Sequence, residues 1–180
     1  MSLWSRITSA LFPSRRSAPE SARKDPRDVG RAMRAQLLET NAEALGLRPT
    51  PDFPRVFGIV MDWPTGEETA SVVALCDGSA SLYTTTAFGI IGGGFHDSVR
   101  DAALRFVKLA QKFADDATPA SDWPYPSSSE VHFYLRTYTG VLCIRADAAP
   151  IYALKSKYTE LFGAGQDVLT ELRKVSEREA

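Results

Sequence analysis

The sequence is short of the residues that build metal and disulfide chemistry. Its 180 residues include two cysteines, Cys76 and Cys143, and two histidines, His96 and His132. A structural zinc site would consume all four, and no pair has the short ligand spacing such sites use, so no metal is expected. Both cysteines lie inside apolar, strand-like runs, where a thiol serves as a small buried hydrophobe. Two cysteines are also too few for a disulfide scaffold. No apolar run reaches the roughly 18 residues of a membrane-spanning helix. The N-terminus lacks the unbroken apolar core of a secretory signal, because Arg6 interrupts it, and a cytoplasmic location is the expectation. No G-x-S-x-G elbow occurs, and no Lys-Ser/Thr pair follows the glycine run as a phosphate-binding loop would require. No cofactor is implied.

What is present is a globular composition, with 44% hydrophobic and 24% charged residues. The net charge of −1 conceals an asymmetry. Residues 1–34 carry eight bases and three acids, or +5, and the remainder carries thirteen and nineteen, or −6. Part of the basic excess belongs to the first helix of the domain, since residues 1–25 alone hold five bases and two acids, or +3. Two units are expected. Residues 1–25 form an amphipathic segment followed by a basic Ser/Pro/Arg linker. Residues 26–180 form a single domain.

In the first unit, Leu3, Trp4, Ile7, Leu11 and Phe12 recur at helical spacing, and Pro13 closes the pattern. Three readings stand beside one another. The segment docks on its own domain or trails from it; it contacts a membrane surface or a partner, with Arg15 and Arg16 toward anionic headgroups; or it is an Arg/Ser-rich transit peptide.

The domain opens with Asp25-Pro26, a cap and first-turn signal. Val29, Met33, Leu37 and Ala44 or Leu45 form the apolar face of a helix that Gly46 ends. Strands are expected over Arg55–Trp63, Thr69–Cys76 and Ser79–Thr86, with Asp77-Gly78 as a hairpin turn. A helix then runs from Asp97 or Ser98 to about Ala114, with Val99, Ala103, Phe106, Ala110 and Phe113 inward. A loop with Trp123-Pro-Tyr-Pro126 precedes a strand over Glu130–Tyr138. There Val131, Phe133 and Leu135 share one side; His132, Tyr134 and Arg136 share the other. Val141–Arg145 makes a further strand. A helical stretch begins at Pro150, which Gly163 and Gly165 would break or kink, and Val168, Leu169, Leu172 and Val175 continue its stripe. The order α-β-β-β-α-β-β-α gives an α+β domain. Its sheet is expected to have five antiparallel strands, as a three-strand meander, a helix and a two-strand hairpin, flanked by N- and C-terminal helices.

This element order resembles the profilin-like group, which includes longin and roadblock domains, over roughly residues 26–180. The resemblance implies a five-stranded antiparallel sheet with flanking helices. The run Gly89-Ile-Ile-Gly-Gly-Gly-Phe-His96, entering a helix after a Thr-rich strand, is similar to that of uncharacterised bacterial proteins of unknown function. That second resemblance implies no activity.

Two regions are candidate sites. Gly92, Gly93, Gly94 and His96, with Arg100 one turn on, lead into a helix N-terminus, where unpaired N–H groups and the dipole favour an anion. The bland reading is a tight crossover in which glycines allow close packing. His132, Tyr134 and Arg136 make a polar-aromatic strand face. Left open it suits a partner; covered by a helix it is interior. Nucleic acid is not expected, because the bases occupy a tail without interleaved aromatics and the body is acidic. The favoured function is a non-catalytic interaction or adaptor module that binds a protein partner or itself, with the basic head directing it to a membrane surface or partner. The alternatives are an anionic-ligand-binding protein or enzyme using the Gly92–His96 loop, and a secretion chaperone or immunity protein.

Overall fold

The computed structural model describes residues 26–86, 89–91 and 93–179. The elements in chain order are α1 (Pro26–Glu39), β1 (Val56–Thr65), β2 (Glu68–Leu75), β3 (Ala80–Thr84), β4 (Gly89–Ile91), α2 (Asp97–Ala110), β5 (Thr118–Pro119), β6 (Glu130–Thr137), β7 (Gly140–Asp147), α3 (Ala148–Tyr152) and α4 (Thr159–Glu179). One-turn 3-10 segments flank α2 at Gly93–Phe95 and Gln111–Phe113.

The strands form one antiparallel sheet in the order β4-β3-β2-β1-β6-β7-β5. The α+β class and the meander-helix-hairpin plan therefore hold, but the sheet has seven strands, not five. The two additional strands are the outermost. Each spans two or three residues, too few for an alternating pattern to register in the sequence. β4 arises because the chain after Thr86 doubles back, pairing Leu82 with Ile90 and Ser81 with Ile91. The first part of the glycine run is thus a sheet-edge strand.

Period-two alternation gives the sheet two buried faces. One carries Ile59, Met61, Val72, Leu82, Phe133, Leu135 and Ile144 beneath α2 and α4. The other carries Phe57, Val60, Val73, Leu75, Tyr83, Tyr134 and Cys143 beneath α1 and the loop bearing Trp123. The domain is therefore layered helix, sheet, helix, and the central strands β1 and β6 are covered on both sides.

α4 runs unbroken through Gly163 and Gly165. A Cβ at Gly165 would lie 2.6 Å from Met61 Sδ and 3.2 Å from Phe106 Cζ. The glycine lets the helix approach sheet and neighbour closely, which outweighs its poor helix propensity. α1 is shorter than its apolar spacing suggests, ending at Glu39. Thr40 Oγ1 donates to Gln36 O (2.6 Å), and the Asn41 side chain accepts from Ala44 N (2.8 Å), which redirects the chain into a turn. Gly46 closes that turn at φ +72. The C-terminal helical pattern resolves into α3 and α4, with Leu154 between them at φ +58.

Candidate functional site

The face beneath α1 concentrates the interior polar groups of the domain. Strand register sets Tyr83, Ser71, Asp62 and His132 in one row, since Tyr83 pairs with Ser71, Ser71 with Asp62, and Asp62 with His132. All four are buried, Asp62 completely. A buried carboxylate needs a partner. Arg34 supplies it from α1, donating from Nε to Asp62 Oδ1 (3.1 Å) and Oδ2 (3.0 Å) and from Nη2 to Oδ2. Ser71 Oγ donates to Asp62 Oδ1 at 2.5 Å. Burial pulls the Arg34 pKa down, but the Asp62 carboxylate outweighs it and the net shift is upward.

The same guanidinium holds the loop. Arg34 Nη1 donates to Trp123 O (3.0 Å), and its carbon lies 4.3 Å from the centre of the Tyr125 ring. Tyr134 OH donates to Pro124 O (2.7 Å). His132 Nδ1 sits 3.3 Å from Pro124 O and from Tyr134 OH, with Nε2 3.6 Å from Glu130 Oε2. Burial pushes the Tyr134 phenol well above its ordinary range, so it stays protonated. The Trp123-Pro-Tyr-Pro126 loop is therefore a second cover on the sheet, beside α1.

Arg136 reaches the far end of α1. Its Nη1 and Nη2 donate to Leu38 O and Thr40 O, carbonyls that the end of the helix leaves without partners. No carboxylate faces it among the described residues, and burial draws its pKa down to about 10. That remains above neutral pH, so the guanidinium is charged as it caps the helix. α1 is thus pinned twice, to Asp62 near its middle and by Arg136 at its end.

The sequence left two readings of His132, Tyr134 and Arg136, and the structure places all three in the covered interior. Arg34, Asp62 and Ser71 escaped notice. The signal was there: Asp62 is a lone charge within an apolar strand, and Arg34 adjoins the Met33 stripe of α1. Chemically the arrangement is an ion-pair clamp. Its carboxylate is saturated by guanidinium and hydroxyl donors, and its histidine faces a carbonyl and a phenol.

The glycine run is placed differently. Gly92 lies outside the described residues, as do Leu3, Trp4, Ile7, Leu11 and Phe12. Gly94 packs on the β2–β3 turn; a Cβ there would lie 3.1 Å from Ser79 Cα. Gly93 opens the 3-10 turn. His96 is the extended residue preceding α2, and its side chain makes no capping bond. Arg100 folds over Gly78 and donates from Nη1 to Asp77 O (2.8 Å). Arg100 and Gly94 thus brace the turn at Gly78 instead of converging on an open crevice.

On the opposite surface, α2 and α4 leave a solvent-facing groove of about 610 Å³ lined by Arg105, Lys108 and Leu109 from α2, by Lys112 from the 3-10 segment that follows it, and by Glu160, Gly163, Ala164 and Asp167 from α4. No cluster of three or more metal-ligating side chains occurs among the described residues, and no helix there is long and apolar enough to cross a membrane.

The chain matches no protein-family model, no curated protein and no solved structure. The profilin-like resemblance therefore gains no support from solved structures.

Proposed function

We propose that the chain is a non-catalytic interaction module whose domain offers docking surfaces and whose basic, amphipathic head brings it to an anionic membrane surface. The observation that carries this reading is the closure of the polar face. Asp62, Ser71, His132, Tyr134 and Arg136 lie under α1 and the Trp123 loop and are each at most 4% exposed. Groups that would serve acid-base or nucleophilic chemistry are thereby turned to holding covers on a sheet. An anionic ligand at Gly92–His96 is less well supported, because Arg100, the guanidinium one turn on from His96, is committed to the Asp77 carbonyl.

Leu3, Trp4, Ile7, Leu11 and Phe12 would insert into the headgroup boundary while Arg6, Arg15 and Arg16 meet anionic lipid. One short amphipathic segment binds weakly, so vesicle binding should be reversible and lost at high salt. Flotation of the full chain and of residues 26–180 with phosphatidylserine-containing liposomes tests this. The full chain should float and the truncated chain should stay in the dense fraction. Equal flotation of both would remove the targeting role of the head.

A further inference from the structure

The α2–α4 groove divides its charges by wall. Arg105, Lys108 and Lys112 recur every three or four residues along α2 and the 3-10 segment that extends it, and Glu160 and Asp167 stand two turns apart on α4. Lys108 is held by Asp52 at 2.8 Å. Arg105, Lys112, Glu160 and Asp167 have no ion-pair partner among the described residues. The floor between the walls is Leu109, Gly163 and Ala164. Nothing lies within 4 Å of a Cβ built at Gly163, so a facing helix would meet little steric bulk there.

The two helices run antiparallel. Gly165 meets Phe106, and Ser98 lies beside Glu171 further along. Arg105 is therefore level with Asp167, and Lys112 with Glu160. A groove with one basic and one acidic wall is complementary to itself, but only under one kind of symmetry. A two-fold axis parallel to the helices sets each α2 against the α4 of the other copy at the same level, so Arg105 faces Asp167 and Lys112 faces Glu160. An axis across the helices sets α2 on α2, bases against bases.

Building on the interaction-module reading, we propose that this groove seats a second copy of the same chain about a two-fold axis parallel to α2 and α4. The contact is isologous, each rim pair occurring twice. The ion pairs fix register and orientation, and the small floor residues allow close helix approach. Exposed pairs of this kind contribute little affinity each, so the dimer is a weak and salt-sensitive one.

Sedimentation velocity of the full chain over a concentration series tests this, with three variants. One has its basic wall reversed (Arg105→Glu with Lys112→Glu), one has its acidic wall reversed (Glu160→Lys with Asp167→Lys), and one carries all four changes. Wild type should show a reversible monomer–dimer equilibrium that weakens as salt rises. Each single-wall variant should raise the dissociation constant by roughly tenfold or more, because rim pairs become repulsive. Mixing the two single-wall variants should restore dimers as a heterodimer, and the four-fold variant should dimerise alone. Circular dichroism of each variant confirms that these surface changes leave the fold intact. A wild type monomeric at every concentration, dimers indifferent to either reversal, or no recovery on mixing would overturn the proposal. A monomeric chain that still floats with anionic liposomes would leave the module reading standing and refute only the two-fold contact.

Discussion

Replacing Asp62 by alanine should be among the most damaging single substitutions in the domain. The carboxylate is fully buried and accepts from Arg34 and from Ser71. Removing it strands a guanidinium that is itself 4% exposed. Breaking a buried pair in this way costs about 3–5 kcal/mol. Against a total stability of about 5–15 kcal/mol, that is a large fraction. With a urea m-value of about 2 kcal/mol/M, the midpoint should fall by about 2 M. Arg34→Met should also be costly, because it leaves Asp62 with Ser71 as its one remaining side-chain donor among the described residues and releases Trp123 O. The double variant Arg34→Met with Asp62→Leu should cost much less than the sum, since apolar replacement of a whole buried pair is often close to neutral. The coupling across the cycle should reach about 2 kcal/mol. Urea titration followed by tryptophan fluorescence supplies all four corners. An Asp62→Ala cost below about 1 kcal/mol, or additive single costs, would refute the clamp.

Other parts of the structure give independent tests. Gly163→Ala should stabilise the fold by about 0.5–1 kcal/mol, since the position is helical and open, whereas Gly165→Val should destabilise it by about 1–3 kcal/mol through overpacking against Met61 and Phe106; thermal denaturation of the pair separates helix propensity from packing. Leu154→Gly should add about 1 kcal/mol, because Leu154 sits at φ +58 while 79% exposed, so backbone strain is relieved with little packing lost. Burial pushes the Tyr83 phenol up to about 12. A raised folded-state pKa means stability that is whole below pH about 10 and lost as pH rises toward 12, up to about 3 kcal/mol, and Tyr83→Phe should blunt that alkaline loss in urea titrations at pH 9 and 11. Burial likewise raises both thiols, with Asp77 adding to the effect at Cys76. Iodoacetamide labelling of the buried Cys143 at neutral pH should therefore track global unfolding, and fast labelling of Cys143 in the native protein would contradict this.

The sequence carried the elements whose signals are periodic. β6 alternated cleanly, and the two sides inferred for it are the two buried faces observed. The apolar stripe of α2 is buried from Val99 to Ala110 as its spacing implies, whereas the helix stops short of Ala114 and Phe113 is half-buried in the 3-10 segment beyond it. What escaped was set by tertiary partners. β4 and β5 exist only because an established neighbour offers free backbone groups, and local propensity cannot report that. The continuity of α4 depends on Met61 and Phe106 requiring a glycine at position 165. The early end of α1, turned locally by Thr40 and Asn41, is also held by Arg136, 96 positions away from Thr40. The polar face was half legible, because β6 showed its His-Tyr-Arg side. Whether a helix covered it depended on a pairing of Arg34 with Asp62 that no spacing rule links.

The central claim is that α1 closes the polar face, so that the chain acts through its outer surfaces. Native-state hydrogen exchange of α1 is the most direct measurement. The amides of Leu37 and Leu38 should be protected nearly as strongly as those of Val60 and Met61 in β1, and Asp62→Ala should lower both together. Exchange of the α1 amides close to the unstructured rate while β1 stays protected would mean that the cover opens freely, exposing Asp62, His132 and Tyr134 to solvent and ligand, and would contradict the account.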